Sequence, residues 1–463
     1  MSTSITSLQS ALQSLPPDAS EAIVSSNFSP VLLQALGFEP LEIIPEYDTG
    51  GGRVDKAARK NVRDDIFLHT RSNPYLLLEL KGRRVNLDES TPSQSNIINQ
   101  SYSRTVNQLK QQLLGSKCES VQWGIINNSS HIQLFRKHGK TIFPATQCLT
   151  LNFDNVDEIV ASIRQKIEET SRALTVTVYN NQGGVGKTTT TVNLAAILAF
   201  EGKKVLVIDF DLNQQDLTGV LGIPVSQGKI KEALTDKNIE LTSVVYTRKY
   251  SSKRLEKTCI LDVIPADNEL QDDSTKPGGD LKRLLSLHTL YNKLHLARQQ
   301  YDYILIDASP NWRFTTQLAI YAADVILIPT KYNHFSSLRN AATAIKKFIP
   351  EMQEEKRSRS FNGSPIALPI FFNGEEEVTP PQLEAAKKSI KDIIETSTQE
   401  GFNLLPYFHP KHTDTQDLDL KDICTVRKYA AVSGSAFLHI PAVYRNSQVR
   451  ISYEKLAREY FIQ

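Results

Sequence analysis

Residues 174–190, Leu-Thr-Val-Thr-Val-Tyr-Asn-Asn-Gln-Gly-Gly-Val-Gly-Lys-Thr-Thr-Thr, decide the fold of the larger part of this chain. An alternating β-branched run leads into three glycines, which are followed by apolar residues at helical spacing as far as Gly202. That order predicts a strand, a loop and a helix. Glycines allow backbone N–H groups to approach phosphate oxygens at a helix N-terminus, where the helix dipole also favours anions. The alternative is a glycine-rich strand–helix turn that binds no ligand.

The polar residues around these glycines predict a site for ATP and Mg²⁺. The ammonium group of Lys187 can reach the β- and γ-phosphates, and the hydroxyl group of Thr188 is placed to bind Mg²⁺. The predicted nucleotide contacts in this stretch are Gln182, Gly183, Gly184, Val185, Gly186, Lys187, Thr188 and Thr189.

The stretch Gly183-Gly-Val-Gly-Lys-Thr188 resembles the deviant Walker A box of the ParA/MinD partition ATPases. Further motifs of that family follow in the expected order, at residues 205–214, 261–266, 301–310 and 322–329. The resemblance covers about residues 174–463 and implies a ParA-type P-loop ATPase domain there. One feature departs from the family, because Gln182 stands where a second lysine normally precedes the first glycine. The carboxysome-positioning branch, McdA, also lacks that lysine.

Strand patterns in this domain are apolar runs that alternate with helical stretches, as in strands buried on both faces. They predict an α/β fold with a doubly wound, mainly parallel sheet. The predicted strands are residues 174–179, 204–209, 259–264, 302–307, 324–328 and 366–372.

Three carboxylates at predicted strand ends complete the site. Asp209 and Asp211 end one strand and Asp307 ends another. The carboxyl ends of parallel strands meet at the ligand-binding edge of such a sheet. The resemblance implies that Asp307 is the Walker B carboxylate, that Asp209 supports the same metal as Thr188, and that Asp211 orients the attacking water.

Two more residues are assigned with an alternative left open. By resemblance, Asn373 reads the adenine edge; the alternative is an ordinary turn asparagine before Gly374. Lys331 follows a strand that ends on the nucleotide side, and we hypothesise that it supplies the charge that Gln182 does not bring. The alternative is an exposed loop lysine. The predicted catalytic residues are thus Lys187, Asp211 and Lys331.

The N-terminal part has a different pattern. Residues 1–28 read as a helical lead-in, and residues 29–150 as short strands around one helix, with strands at 64–69 and 75–81. Residues 151–173 carry apolar residues at helical spacing and predict a linker helix to the domain at 174–463. A length of 463 residues fits two or three domains.

Asp65, Glu79 and Lys81 fall on the two predicted strands, with Glu79 and Lys81 on one face. Carboxylates there can hold Mg²⁺, and the lysine can stabilise charge on a phosphodiester. The arrangement resembles the PD-(D/E)xK nuclease fold, in particular the N-terminal domain of type I restriction-enzyme R subunits. By that resemblance Gln108 matches a glutamine of such domains, whereas Gln112 replaces a frequent tyrosine. The alternative is a degenerate fold kept as a docking module.

Charge and composition limit the partners. The formal net charge is only 53 − 51 = +2, so nucleic-acid binding must come from local patches. One such stretch is residues 53–84, with nine Lys or Arg against four Asp or Glu. The four cysteines are far apart and predict free thiols in a reducing cytosol. No apolar run reaches the ~18 residues of a membrane span, so we expect a soluble cytoplasmic protein without a membrane partner.

The resemblance implies a function in DNA partition or cargo positioning. ATP would close a sandwich homodimer that binds DNA nonspecifically on the nucleoid, and a ParB-like or McdB-like adaptor would stimulate hydrolysis and release it. The alternative is an ATP-gated DNA nuclease; a weaker one is a regulator that binds ATP but hydrolyses it poorly. Candidate phosphate contacts near the C-terminus are Arg427, Lys428, Arg445, Arg450, Lys455 and Arg458.

Overall fold

The computed structural model describes residues 7–88, 99–251, 255, 257–275, 280–332, 334–359, 362–375, 379–410 and 419–463. The chain forms two compact units. The first contains Met1–Thr170 with Arg359–Ser364, and the second contains Ser171–Ser358 with Pro365–Gln463. Within the described residues, no helix combines the length and the apolar character that crossing a membrane requires.

The first unit is a mixed sheet with helices. Its strands are β1 (Ile43–Asp48), β2 (Arg53–Ala58), β3 (Leu76–Leu80), β4 (Trp123–Asn127), β5 (His131–His138), β6 (Thr141–Pro144) and β7 (Leu149–Thr150). Its helices are α1 (Leu8–Gln13), α2 (Glu21–Ile23), α3 (Ser29–Ala35), α4 (Phe67–Thr70), α5 (Gln100–Leu113) and α6 (Val156–Glu168). The strand order is β1-β2-β3-β4-β5-β6, with β7 paired to β5. Only the β3–β4 pair is parallel among these described strands.

The strand predicted at residues 64–69 is wrong. Asp65 lies in a turn that is closed by a bridge to Val62, and α4 starts at Phe67. The side-chain oxygen of Asn61 accepts a 2.7 Å hydrogen bond from the Phe67 N–H group, so the first N–H group of the helix has a partner. The antiparallel neighbour of β3 is therefore β2, not the segment that carries Asp65.

The lead-in and the linker helix also differ from their sequence-based description. Buried residues of α1 and α6, among them Leu12 and Ile163, share one apolar core with Phe28 and with Leu78 of β3. Helix α6 buries its apolar stripe in this core, so it packs as part of the first unit.

The second unit contains the predicted parallel sheet. Its strands are β8 (Leu174–Val178), β9 (Val205–Phe210), β10 (Tyr246–Tyr250), β11 (Cys259–Ile264), β12 (Tyr303–Ala308), β13 (Val325–Leu327), β14 (Pro329–Thr330), β15 (Ile366–Ala367), β16 (Phe371–Glu375) and β17 (Thr425–Arg427). Its helices are α7 (Lys187–Phe200), α8 (Asp216–Val220), α9 (Lys229–Thr235), α10 (Asn268–Thr275), α11 (Asp280–Leu284), α12 (Thr289–Lys293), α13 (His295–Gln300), α14 (Phe314–Ala322), α15 (Phe335–Thr343), α16 (Ile349–Arg357), α17 (Pro380–Gln399), α18 (Leu405–Phe408), α19 (Ala430–Ala436) and α20 (Ser447–Tyr460).

The order of this sheet explains where a ligand can bind. It is β10-β11-β9-β12-β8-β13-β15, and every pair is parallel except the edge pair β10–β11. The chain leaves β8 towards β9 on one side and later reaches β13 on the other, which opens a crevice at the carboxyl ends of the central strands. All residues of β8, β9 and β12 are buried, as their apolar sequences predict. A short parallel sheet, β14-β16-β17, lies beside this one.

Candidate functional site

The glycine loop joins β8 to α7 as the sequence predicts. Gly184 has φ +73° and Gly186, the N-cap of α7, has φ +82°, a conformation that favours glycine. Apart from the adjoining residues of the chain, no atom lies within 4 Å of the position that a Cβ atom on Gly183 or Gly184 would take. The space in front of the loop is therefore open, and the N–H groups of the first helical turn adjoin it.

Lys187 is folded back onto this loop. Its side chain is buried, and its Nζ atom donates a 3.0 Å hydrogen bond to the carbonyl oxygen of Gln182. Burial lowers the pKa of Lys187, while the carboxylates of Asp307 and Asp211 act in the opposite direction. The ammonium group thus lies against the loop, and the charges of the two carboxylates favour its protonated form.

Thr188 and Asp307 meet at the carboxyl end of β12. The Thr188 hydroxyl donates a 2.6 Å hydrogen bond to Oδ2 of Asp307, and Thr191 lies 3.4 Å from Oδ1. Burial raises the pKa of Asp307 well above its ordinary value, and the neighbouring Asp209 raises it further. This carboxyl is poorly solvated and faces like charge, so a cation would stabilise its ionised form.

Asp209 sits opposite Asp307 in the register of β9 and β12. Its Oδ2 atom accepts hydrogen bonds from the N–H group and the hydroxyl of Thr218, at 2.9 and 2.7 Å. Its Oδ1 atom is buried without a partner in the described part of the chain. Burial raises the pKa of Asp209 to about 7, against the hydrogen bonds from Thr218.

These groups fit Mg²⁺, which keeps several waters and takes one or two carboxylates together with phosphate oxygens. The unpartnered oxygen of Asp209 and the Thr188–Asp307 pair supply that donor set. In the described ranges, no group of three or more His, Cys, Asp or Glu side chains is arranged to hold a metal ion. Phosphate oxygens and water would therefore complete the coordination.

Asp211 follows β9 directly and is also buried. Burial raises the pKa of Asp211, while Lys187 lowers it. The structure thus brings Lys187, Thr188, Asp209, Asp211 and Asp307 to one edge of the sheet, as predicted. Their catalytic and metal-binding roles stay predictions.

Asn373 and Lys331 lie close to the loop in the fold. The amide nitrogen of Asn373 donates to the carbonyl oxygens of Val185 at 2.9 Å and Gly186 at 3.2 Å, so it braces the loop. Reading the adenine edge stays a prediction. The Lys331 N–H group donates to Ser337 Oγ, and the carbonyl oxygen of Ser337 accepts from Asn180 Nδ2 at 3.1 Å. Lys331 therefore starts a turn tied to the base of the loop, and its compensating role also stays a prediction.

Sequence reasoning missed Asn340. Its Nδ2 atom in α15 donates 3.0 Å hydrogen bonds to Oε1 of Gln182 and to the carbonyl oxygen of Asn181. No local motif marks this asparagine, because it reaches the loop only through the fold.

The first unit contains a second polar cluster, which replaces the predicted Asp65 with Asp55. Glu79 is buried and accepts hydrogen bonds from Lys81 at 2.6 Å, Gln108 at 2.6 Å and Gln112 at 2.8 Å. Asp55 on β2 accepts a 2.7 Å hydrogen bond from the Leu80 N–H group. Burial raises the pKa of Asp55 to about 6; the Leu80 hydrogen bond opposes this and the Glu79 charge adds to it.

Asp65 lies outside this cluster. Its carboxylate is paired with Arg59 at 2.7 Å, and its side chain is 47% exposed. The assignment of Asp65 to a site with Glu79 and Lys81 is therefore wrong. The sequence does contain a signal for Asp55, because this residue lies in residues 53–58, the strand that precedes β3 in the chain and pairs with it.

Comparisons with known proteins agree with the geometry of the second unit. A family model described as an AAA domain matches residues 173–360. The chromosome-partitioning ATPase Soj of Treponema pallidum is 31% identical over 286 residues, 62% of this chain and 96% of that protein. The septum site-determining protein MinD of Helicobacter pylori is 32% identical over 242 residues, 51% of this chain and 79% of that protein. The sporulation initiation inhibitor protein Soj of Bacillus subtilis is 32% identical over 179 residues, 38% of this chain and 66% of that protein.

The relatives from Treponema and Helicobacter are matched over most of their own length, which a shared short motif alone would not give. The mixed α/β fold, the parallel sheet and the glycine loop between β8 and α7 are the features that such a relationship requires. The chain belongs to the ParA/MinD family of P-loop ATPases.

Proposed function

We propose that the second unit hydrolyses ATP in the presence of Mg²⁺ and works as a partition or positioning ATPase. The observation that carries this proposal is the convergence of Lys187, Thr188, Asp209 and Asp307 on an open glycine loop. The loop N–H groups and Lys187 would hold the phosphates, and Asp211 would orient the attacking water. When bound, Mg²⁺ would neutralise charge that develops on the phosphate oxygens.

Turnover with purified protein tests the enzymatic part. We expect phosphate release from ATP that requires Mg²⁺ and is lost in Lys187→Ala and Asp211→Ala. Asp236→Asn, a change to an exposed carboxylate beyond this site, is the matched control. Equal turnover in the Lys187→Ala variant and the wild type would refute the assignment.

We also propose that ATP closes a sandwich homodimer in which the partner faces the same loop. Gln182 brings no charge to that interface, and Lys331 is the proposed substitute. Size-exclusion chromatography with light scattering in ATP and in ADP tests this, with Lys331→Ala and Lys347→Ala compared. Dimerisation that survives Lys331→Ala unchanged would remove Lys331 from the proposal.

Nonspecific DNA binding is the proposed output of the dimer. Arg450 in α20 and Lys257 both lie against one ring: the Arg450 Cζ atom is 4.7 Å, and the Lys257 Nζ atom 4.0 Å, from the Phe200 ring centroid. Neither cation forms an ion pair with any residue that the structure describes. Two like charges on one ring favour an anion such as a backbone phosphate. Further exposed candidates are Arg427, Lys428, Arg445, Lys455 and Arg458.

DNA retention at increasing salt concentrations tests this surface. Each phosphate contact that is lost lowers the slope of log K against log [salt] by about 0.9. We therefore expect a smaller slope for Lys257→Ala and Arg450→Ala, and the wild-type slope for Lys237→Ala. DNA binding would place the protein on the nucleoid, and a ParB-like or McdB-like adaptor would then stimulate hydrolysis and release the protein from the DNA.

A second candidate function belongs to the first unit. Asp55, Glu79 and Lys81 lie together with Gln108, and this cluster is the observation that favours a Mg²⁺-dependent nuclease. Its second carboxylate would be Asp55 and not Asp65. Incubation with supercoiled plasmid and Mg²⁺ or Mn²⁺ tests it. Nicking that Glu79→Ala and Asp55→Ala abolish, and Asp65→Ala preserves, would support the nuclease. Intact plasmid at all metal and ATP concentrations would refute it.

A further inference from the structure

The side-chain amide of Gln182 has a fixed orientation, and the reason lies in α15. The Nδ2 atom of Asn340 is 3.0 Å from the Asn181 carbonyl oxygen and 3.0 Å from Gln182 Oε1. A backbone carbonyl oxygen only accepts hydrogen bonds, so Asn340 must present its nitrogen here. An amide nitrogen only donates, so Gln182 must present its oxygen to Asn340.

The nitrogen of the Gln182 amide is consequently on the opposite side. Its only hydrogen-bond contact among the described residues is a long one of 3.4 Å to the carbonyl oxygen of Gly183, the first glycine of the loop. This nitrogen thus lies beside the first glycine of the loop, and among the described residues only that long hydrogen bond holds it.

Asn340 is itself held in place from the start of α15. The carbonyl oxygen of Ser337 accepts a 3.1 Å hydrogen bond from Asn180 Nδ2, and Ser337 Oγ accepts from the Lys331 N–H group at 3.0 Å. Helix α15 is therefore tied to the loop at residue 180 and again at residues 181 and 182. This double attachment fixes the distance between Asn340 and Gln182.

We propose that Asn340 is a positioning residue, which turns the Gln182 amide so that its two N–H donors point to the phosphates of the nucleotide. This inference rests on the proposed ATP binding. Oriented neutral donors would replace part of the phosphate stabilisation that a lysine gives, because a preorganised donor interacts with an anion without first having to rotate. The chain would thus combine a glutamine in the loop with an asparagine in α15.

A double-mutant cycle on nucleotide affinity tests this coupling. The variants are Asn340→Ala, Gln182→Met and the double mutant, with the Kd measured by titration of a fluorescent ATP analogue in Mg²⁺. Each single change is expected to raise the Kd by roughly 2- to 10-fold, the range for one net hydrogen bond. The double mutant is expected to match Gln182→Met alone. Thr343→Val in α15, which removes a hydrogen bond to the Arg339 carbonyl oxygen, should leave the Kd unchanged.

Asn340→Ser is the second variant, should Asn340→Ala fail to fold as judged by its melting temperature. An unchanged Kd in a folded Asn340 variant would overturn the inference, and so would additive effects in the double mutant, because Asn340 would then act through Asn181 instead. A wild-type chain that binds no ATP analogue would overturn the proposed ATPase as well. The two failures are therefore distinguishable.

Discussion

Replacing Asp209 with asparagine should remove most of the loss of stability that the nucleotide-free second unit shows as the pH rises. The pKa of Asp209 is about 7 in the fold, against an ordinary value of 3.8. The native carboxyl keeps its proton to a higher pH than the unfolded chain does. The unfolding free energy of the wild type therefore falls as the pH rises from about 4 to about 7.

The size of this effect follows from the pKa difference. Ionising the buried Asp209 lowers the wild-type unfolding free energy by about 3 kcal/mol between pH 5 and pH 8, at 1.36 kcal/mol per pKa unit. An asparagine can still accept both hydrogen bonds from Thr218, but its amide nitrogen replaces the unpartnered Oδ1 atom. That buried donor costs about 1–3 kcal/mol at every pH, so it shifts the variant's curve without changing its slope. Removal of the Asp209 charge also relieves Asp307, which adds to the effect in the same direction.

Urea denaturation in EDTA from pH 5 to pH 8 measures the difference. The chain has two tryptophans, one in each unit, so Trp123→Phe leaves Trp312 to report on the second unit. From pH 5 to pH 8, the unfolding free energy of Asp209→Asn should rise by about 3 kcal/mol relative to that of its parent. Asp236→Asn at the surface should give curves parallel to the parent. Parallel curves for Asp209→Asn would refute the claim that burial holds the proton on this carboxyl.

Three further outcomes test the site and the fold. Thr188→Val should abolish the part of the ATP affinity that depends on Mg²⁺ and keep the rest, as titrations with and without EDTA would show; an unchanged dependence on Mg²⁺ would contradict the role of this hydroxyl. Gly186→Ala should abolish nucleotide binding and lower the melting temperature, because the φ is +82° and a Cβ atom would lie 2.1 Å from Asn373 Nδ2; retained binding would contradict it. Phe28→Ala should destabilise the first unit by about 3–5 kcal/mol in denaturation followed at Trp123, since Phe28 is fully buried in the core shared with α6. A surface-like effect under 0.5 kcal/mol would contradict the integral role of the lead-in.

The parts of the fold that the sequence predicts are those encoded locally. Strand β8, the glycine loop and α7 follow one another within residues 174–200, and each has its own periodicity and breakers. The ends of β9 and β12 were predicted for the same reason, because apolar runs stop at Asp209 and Asp307. Neighbouring parallel strands then bring these carboxylates together without further information.

The parts that it does not predict depend on contacts between distant residues. Asn340 lies 158 residues from Gln182, and nothing in α15 distinguishes it from a solvated helical asparagine. Helix α6 has an ordinary amphipathic pattern, which is equally consistent with a linker and with a core helix. The edge strand β10 was missed because its exposed, polar sequence carries little strand signal.

The choice between Asp55 and Asp65 shows which physical property separates a site carboxylate from a structural one. The apolar run after Asp65 reads as a strand more clearly than residues 53–58 do, yet it forms a short helix whose first N–H group donates to Asn61. The Arg59 hydrogen bonds then lower the pKa of the exposed Asp65, so its charge is already compensated within the protein. Burial raises the pKa of Asp55 and the Glu79 charge adds to this, so the ionised form of Asp55 is less stable than in water and a cation would stabilise it. The same contrast holds in the second unit between Asp302, whose pKa is lowered against burial by the Arg172 hydrogen bond, and Asp209, whose pKa burial raises. Opposite pKa shifts of chemically identical groups therefore separate carboxylates whose charge is compensated within the protein from those whose charge is not, and this property exists only once the chain has folded.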